Sequence, residues 1–245
     1  MARVFITGSA DGLGQLAAQQ LISTGHQVVL HARNVKRAEQ AMKKVPKASQ
    51  VLTADLGNID QTKELAMKVN DLGFFDAVIH NAGVYQASGE AIFTVNLLAP
   101  YILTCRIHKP KRLIYLSSGM HRHGHADLRQ LDTSRVTYSD SKLYINILTM
   151  AVAHKWPEVY ANAVDPGWVP TKMGGAGAPD SLEQGYQTQT WLAVSDDPEA
   201  KVTGKYFYHR RVKEGRIEAY DAAIQEALLT ICERISGVAL PMSNK

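Results

Sequence analysis

The chain has 245 residues, which is long enough for one large hydrophobic core without a second domain. Apolar residues make up 45% of it and charged residues 20%, as in an ordinary globular protein. The formal net charge is +4, but the basic residues are spread along the chain and form no nucleic-acid-binding arm. We therefore expect one domain over residues 1–245 and no nucleic-acid partner.

The amino terminus enters an apolar strand pattern at once and has no signal-peptide pattern. No run of the sequence approaches the roughly 18 consecutive apolar residues of a membrane span. The two cysteines, Cys105 and Cys232, are far apart and have no CxxC partner, which is typical of buried, reduced thiols. These observations predict a cytoplasmic protein with no membrane partner.

Short apolar runs alternate with longer helix-compatible stretches along the chain. The predicted strands cover residues 4–6, 27–30, 51–53, 77–79, 113–116, 161–164 and 206–208. The predicted helices include residues 13–23, 35–44, 59–72 and 140–154. This alternation with right-handed crossovers predicts an α/β fold: a doubly wound parallel sheet of Rossmann type with helices on both faces.

A glycine-rich turn, T-G-S-A-D-G-L-G at residues 7–14, joins the first strand to the first helix. Glycines let the backbone approach a pyrophosphate, and a helix amino terminus offers free N–H groups and a positive dipole end. The spacing is G-x-x-x-G-x-G, and the alternative interpretation is merely a tight turn. The predicted cofactor-binding residues of this loop are Gly8, Ser9, Asp11, Gly12, Leu13 and Gly14.

The second strand ends without the acidic residue that usually holds the ribose of NAD. Ala32 leaves room there, and the guanidinium of Arg33 can pair with a 2′-phosphate. This favours NADP(H) as the cofactor. The alternative is that Arg33 is simply a solvated surface residue.

Residues 173–180, M-G-G-A-G-A-P-D, form the loosest stretch of the chain because glycine and proline disfavour regular structure. The stretch follows the sixth predicted strand, near the edge where α/β folds bind their ligands. A mobile lid and an ordinary surface loop are both open interpretations.

Further motifs follow the phosphate loop in chain order. They are Asp55-Leu56, Asn81-Ala82-Gly83, Asn96 within V-N-L-L-A-P, Ser117-Ser118, Tyr138-S-D-S-Lys142, and Pro166-Gly167-W-Val169-P-Thr171. With these motifs the chain resembles the short-chain dehydrogenase/reductase family over residues 4–207. The closest similarity is to its carbonyl-reductase-like and retinol-dehydrogenase-like members.

Tyr138 and Lys142 are four residues apart on a predicted helix and therefore share one face. A phenol has an ordinary pKa of about 10, and a nearby ammonium is expected to lower it. The pair can then act as a general acid in carbonyl reduction and a base in alcohol oxidation. The alternative is a packed tyrosine beside an exposed lysine.

The resemblance implies a catalytic tetrad of Asn96, Ser118, Tyr138 and Lys142. In it Ser118 hydrogen-bonds the substrate oxygen, Asn96 holds a water beside Lys142, and Lys142 also binds the nicotinamide ribose. Spacing alone does not separate Ser117 from Ser118, and Asn96 has the alternative of capping or kinking a helix. The cofactor-binding residues that the resemblance implies are Asp55, Leu56, Asn81, Ala82, Gly83, Tyr138, Lys142, Pro166, Gly167, Val169 and Thr171.

The run His121-Arg122-His123-Gly124-His125 suggests a metal site, but its spacing matches no H-E-x-x-H geometry. A metal is also not needed for the chemistry, because the cofactor supplies the hydride. For both reasons we expect no metal.

Together these features predict an NADPH-dependent oxidoreductase that reduces a ketone or aldehyde to an alcohol, or catalyses the reverse reaction. The alternative is a non-catalytic NADP(H)-sensing regulatory protein, although a sensor has no need of all four tetrad members. The expected partner is a small carbonyl or alcohol substrate, and Val84, Met120, Trp168 and Met173 offer an apolar pocket for it. The resemblance also implies a homodimer or homotetramer that pairs through helices at residues 90–104 and 138–154.

Overall fold

The computed structural model describes residues 1–129 and 131–242. Its strands form one sheet in the order β3-β2-β1-β4-β5-β6-β7-β8, and all pairs are parallel except β7–β8. The strands are β1 (Arg3–Ile6), β2 (Gln27–Ala32), β3 (Gln50–Thr53), β4 (Ala77–His80), β5 (Arg112–Leu116), β6 (Tyr160–Asp165), β7 (Lys205–Tyr208) and β8 (Arg211–Lys213). The predicted doubly wound α/β fold is confirmed.

Helices cover both faces of this sheet. They are α1 (Gly12–Ser23), α2 (Val35–Lys44), α3 (Ile59–Asp71), α4 (Gly89–Phe93), α5 (Ala99–Arg106), α6 (Tyr138–Lys155), α7 (Leu182–Val194) and α8 (Ala222–Ser236). Residues of α1, α2 and α7 share one hydrophobic cluster, and residues of α3, α5, α6 and α8 share the other. The central strands β4 and β5 are buried along their whole length, as parallel strands covered on both faces must be.

The edge strand β8 was not among the predicted strands. It pairs antiparallel with β7 through a tight turn at His209 and Arg210, which both have positive φ. All three of its residues are exposed, so it carries no apolar run.

The single helix expected at residues 90–104 is broken in the structure. A π-helical turn, Thr94–Leu98, separates α4 from α5. Pro100 accounts for part of this, because it has no N–H to donate to the carbonyl of Asn96, four residues earlier. Single π-turns of this kind are frequent at functional sites.

The carboxyl-terminal helix α8 packs against α6, the helix through which the resemblance implied pairing between subunits. Residues 140–153 of α6 are buried within one chain. The Trp156 side chain also donates a 2.8 Å hydrogen bond to the Pro241 carbonyl, and Tyr101 donates one of 2.7 Å to Val238. A homodimer through this face would have to displace α8. The oligomeric state stays a prediction.

Both cysteines are buried free thiols, as their spacing predicted. In the part of the chain that the structure describes, no helix combines the length and apolarity needed to cross a bilayer.

Candidate active site

A cavity of about 540 Å³ opens at the carboxyl edge of the sheet beside β1 and β4. The strand order reverses there, because the chain runs outward from β1 to β3 and then returns to β4 on the other side. Open α/β sheets bind ligands at such a switch point. The predicted cofactor-binding residues that line the cavity are Gly8, Asp11, Gly12, Leu13, Arg33, Asp55, Leu56, Asn81, Ala82, Gly83, Tyr138, Lys142, Pro166 and Thr171.

The glycine loop is shaped by close contact with the end of β4. Gly8 has a φ of +63°, and a Cβ there would lie 2.8 Å from the Ala82 Cα. A Cβ on Gly14 would collide with the Asn81 side chain, whose Nδ2 donates to the Gly8 carbonyl at 3.1 Å. Helix α1 therefore begins at a backbone that admits no larger residue at these two positions.

The amino terminus of α1 keeps its donors available. The Asp11 side chain makes no capping hydrogen bond, and the Gln15 N–H donates to the Asp11 carbonyl. The backbone N–H groups of residues 12–14 precede this first helical hydrogen bond. As in the first turn of any helix, they have no acceptor within the helix itself. This uncapped terminus beside the cavity fits a pyrophosphate.

Ser9 is predicted to bind the cofactor, but in the structure it lies beneath the loop and outside the cavity lining. Its fully buried hydroxyl donates to the Ile6 carbonyl at 2.9 Å and accepts the His31 N–H at 2.9 Å. The His31 Nδ1 accepts the Gly8 N–H at 3.0 Å, which assigns the ring proton to Nε2, 3.0 Å from the Ala54 carbonyl. Burial lowers the pKa of His31 to about 4, so this support is a neutral imidazole.

Asp11 joins the glycine loop to two distant cations, Arg37 at the start of α2 and Lys172 after β6. The same carboxylate oxygen accepts a hydrogen bond from each, at 2.9 Å in the case of Lys172. Burial raises the pKa of Asp11, but the two hydrogen bonds outweigh it and hold that pKa below its usual value. All three residues line the cavity. The motifs gave no reason to select Arg37 or Lys172, which lie 26 and 161 residues from Asp11.

Arg33 lies on the exposed rim of the cavity at the end of β2. Asp55 and Leu56 face it from the end of β3. The Asp55 carboxylate accepts the Gly57 N–H at 2.9 Å, which fixes the turn after that strand. The structure therefore brings the residues predicted for the adenosine end of a dinucleotide to one end of the cavity.

Tyr138 and Lys142 line the other end of the cavity together with Ser117, whereas Ser118 hydrogen-bonds Tyr138 from outside the lining. Lys142 is buried, and its Nζ donates a 2.7 Å hydrogen bond to the Leu116 carbonyl at the end of β5. The same Nζ lies 5.3 Å from the centre of the Tyr138 ring. The Ser117 hydroxyl is buried and donates to the Lys142 carbonyl at 3.1 Å, so it connects the end of β5 to α6. Ser118 is the half-buried member of the serine pair.

The pKa of Tyr138 is raised in the structure, whereas its spacing to Lys142 predicts a lowered pKa. Burial raises it to about 12, a hydrogen bond with Ser118 lowers it, and the charge on Asp165 raises it further. The Lys142 ammonium faces the ring and the Leu116 carbonyl, so in this structure it does not bring the phenol below its ordinary pKa. Burial lowers the pKa of Lys142 to about 8, against the attraction of Asp165. At neutral pH Tyr138 is therefore a phenol and Lys142 is mostly an ammonium.

Asn96 lies in the π-helical turn and is buried. Its side-chain oxygen accepts the Val84 N–H at 2.8 Å, and its Nδ2 donates to the Val84 carbonyl and to the Ser141 hydroxyl. A Cβ on Gly83 would lie 3.4 Å from the Asn96 oxygen and 3.7 Å from the Lys142 Nζ. Asn96 is thus fixed beside Lys142, and the structure also gives it the role of joining the π-turn to the end of β4.

The segment after β6 forms one wall of the cavity. Gly167 has a φ of +81°, and the Asp180 carboxylate accepts the Trp168 N–H at 2.6 Å. Val169 is buried beneath the loop, whereas Thr171 lines the cavity and its hydroxyl accepts the Gly174 N–H at 3.2 Å. The loop is therefore hydrogen-bonded internally and tied to Asp11 through Lys172. Of the predicted cofactor-binding residues, Ser9, Gly14, Gly167 and Val169 support the lining from outside it.

The side chains of the histidine run contact different partners. His121 is buried with its ring centre 4.7 Å from that of Tyr206, while the His125 Nδ1 lies 3.1 Å from the Asp140 carboxylate. Over residues 1–129 and 131–242, no group of three or more metal-ligating side chains is assembled.

Comparison with known proteins agrees with this architecture. A family model described as short chain dehydrogenase matches residues 2–181. An uncharacterised oxidoreductase of Emericella nidulans is 43% identical over 254 aligned residues, which cover 98% of this chain and 99% of that protein. The short-chain dehydrogenase chyC of Penicillium rubens is 39% identical, with 98% and 100% coverage.

The fold also matches solved structures. A crystal structure of a protein from Mycobacterium paratuberculosis superposes with a TM-score of 0.81 at 23% identity, and the match covers 99% of this chain and 96% of that one. The family model, the two relatives and the sheet order all agree: the chain is an oxidoreductase that belongs to the short-chain dehydrogenase family.

Proposed function

We propose that this protein is an NADPH-dependent reductase that converts a ketone or aldehyde to an alcohol, with Asn96, Ser118, Tyr138 and Lys142 as its tetrad. The observation that carries the proposal is that Tyr138 and Lys142 line one end of a cavity, with Ser118 hydrogen-bonded to Tyr138 just outside the lining. The other end of that cavity is formed by an uncapped helix terminus and Arg33.

The proposed chemistry is a proton transfer by the protein. When bound, the reduced nicotinamide supplies a hydride to the carbonyl carbon. Tyr138 donates its phenolic proton to the carbonyl oxygen, and the Ser118 hydroxyl hydrogen-bonds the same oxygen as negative charge develops there. The raised pKa of Tyr138 keeps this proton in place at neutral pH, which suits the reductive direction.

Lys142 and Asn96 serve that proton transfer. The Lys142 ammonium stabilises the phenolate that forms, because a positive charge favours the ionised phenol. Asn96 holds the turn that faces Lys142 and, we propose, a water that returns a proton from solvent. The proposed role of Lys142 toward the nicotinamide ribose fits its position in the cavity wall.

The positive groups at the far end support the choice of NADPH over NADH. Arg33 and Arg37 both line the cavity there. Residues 33–37, which follow the end of β2, include no acidic residue. The test is a panel of ketones, aldehydes and quinones, with turnover followed by loss of NADPH absorbance. NADPH binding without turnover of any carbonyl compound would favour the sensing protein instead.

A further inference from the structure

Two exposed large apolar side chains contact Tyr138, and two more belong to residues hydrogen-bonded to Ser118 or to the backbone next to Met173. They extend from the ends of β4, β5 and β6 and are between 39% and 60% exposed: Tyr85, Met120, Trp168 and Met173. Large exposed apolar groups that cluster commonly mark a binding surface. We call this set the aromatic mouth.

Direct contacts connect the mouth to the catalytic groups. The ring centres of Tyr85 and Tyr138 are 4.8 Å apart with an interplanar angle of 85°. The Met173 sulfur lies 4.0 Å from the Tyr138 hydroxyl oxygen. The Met120 N–H donates to the Ser118 hydroxyl at 3.2 Å. The side chains of Tyr85 and Met173 therefore flank Tyr138, and Met120 is held beside Ser118 through its backbone.

Trp168 completes the mouth from the loop after β6. Its indole N–H donates a 2.7 Å hydrogen bond to the Gly174 carbonyl, the residue next to Met173. The polar atom of the indole is thus already satisfied, while the side chain remains 60% exposed. The exposed part of Trp168 that can contact a ligand is therefore its apolar ring. Aromatic rings and methionine thioethers both make favourable contacts with aromatic groups.

The Asp165 carboxylate lies close to Ser118 and would repel an anionic group placed there. Asp165 accepts the Tyr206 hydroxyl at 3.0 Å and the Gly167 N–H at 2.9 Å, and a Cβ on Gly119 would lie 3.2 Å from its carboxylate. A negative charge therefore stands next to Ser118. Two cations are also near: Lys172 is engaged by Asp11, and the buried Lys142 ammonium donates to the Leu116 carbonyl while it faces the Tyr138 ring.

We propose that the aromatic mouth selects an uncharged aromatic ketone with a ring system larger than benzene, an inference that rests on the proposed reductase function. The flat ring system lies against Trp168 and Tyr85, and its carbonyl oxygen reaches Ser118 and Tyr138. Small aliphatic ketones reach the same catalytic groups but leave the aromatic side chains uncovered.

Three ketones test this inference: acetylnaphthalene, butanone, and acetylnaphthalene carrying a carboxylate on its far ring. The wild type is expected to reduce acetylnaphthalene with a kcat/KM about 100-fold above that of butanone and about tenfold above that of the carboxylated ketone. Trp168→Ala and Tyr85→Ala should each lower kcat/KM for acetylnaphthalene about tenfold, mainly through KM, and by clearly more than they lower kcat/KM for butanone. Phe74→Ala, at another exposed aromatic residue, is the matched control.

Binding measured without turnover separates this inference from the proposed function. Equilibrium dialysis of acetylnaphthalene in the presence of oxidised cofactor should show binding that Trp168→Ala and Tyr85→Ala weaken and Phe74→Ala does not. Binding of this kind without turnover would support the mouth and overturn the reductase. Turnover with no preference for acetylnaphthalene, or equal losses on all ketones in both mouth variants, would overturn the inference and leave the reductase standing.

Discussion

The Lys142 ammonium lies 5.3 Å from the centre of the Tyr138 ring and donates its 2.7 Å hydrogen bond to the backbone of β5. The two side chains share a helix face, as four-residue spacing requires, but the contact is made at the ring and not at the hydroxyl. In the proposed mechanism, Lys142 would stabilise the phenolate once the proton has left. Before that step, burial keeps Tyr138 protonated.

The first prediction concerns cofactor choice. NADPH should bind at least about tenfold more tightly than NADH, which corresponds to ~1.4 kcal/mol, because Arg33 can make a charge-assisted contact with the 2′-phosphate. Titration of both cofactors against the wild type and Arg33→Ala measures this. Equal affinities in the wild type, or an unchanged preference in the variant, would show that Arg33 is only a surface residue.

The second prediction concerns Asp11, whose carboxylate engages Arg37 and Lys172 in the cavity wall. Asp11→Asn should release both cations and raise the affinity for NADPH relative to NADH by about threefold or more, because the extra phosphate gains most from free positive charge. The matched control is Asp60→Asn on the exposed start of α3. The same titrations at low and high salt provide the measurement, and a lower NADPH preference in Asp11→Asn would contradict it.

The third prediction is a loss of stability in acid. Burial lowers the pKa of His31 to about 4 and that of His80 to about 3. Both groups bind a proton more readily in the unfolded chain, so the free energy of unfolding is highest above pH 6.5 and falls as the pH drops toward these folded values. Between pH 7 and pH 5 each histidine should remove about 2 kcal/mol.

Urea unfolding at the two pH values tests this prediction. The variant His80→Phe keeps a ring against Tyr115, whose centre lies 4.7 Å from that of His80, and removes one titrating group. Its loss between pH 7 and pH 5 should be smaller than that of the wild type by about 2 kcal/mol. An equal loss in both proteins would mean that His80 is already protonated or is exposed in the folded state.

The framework of the fold could be predicted from the sequence because buried parallel strands are short apolar runs. Most of the predicted cofactor-binding residues line one cavity, because the loops after the parallel strands meet at the same edge of the sheet. Strand β8 was missed because His209 and Arg210 adopt positive φ without the glycine or asparagine that normally marks such a turn.

The parts of the site that sequence could not provide depend on contacts between distant residues. Arg37 and Lys172 gain a role only through Asp11, and no local pattern joins the three. The raised pKa of Tyr138 likewise depends on burial and on Asp165, which the four-residue spacing to Lys142 does not reveal. The covering of α6 by α8 is a third example, because it depends on packing across the whole chain.

The kinetics of Tyr138→Phe test the central claim most directly. The variant keeps the ring that contacts Lys142 and Tyr85 but has no proton to donate, so kcat for a ketone from the panel should fall by about 10²–10⁴-fold or more. Its dissociation constant for NADPH should stay within about twofold of wild type, whereas Lys142→Ala should lose both turnover and cofactor affinity. A Tyr138→Phe variant that keeps more than about a tenth of the wild-type kcat in a chemistry-limited assay would contradict the account, because Tyr138 would then not be the acid.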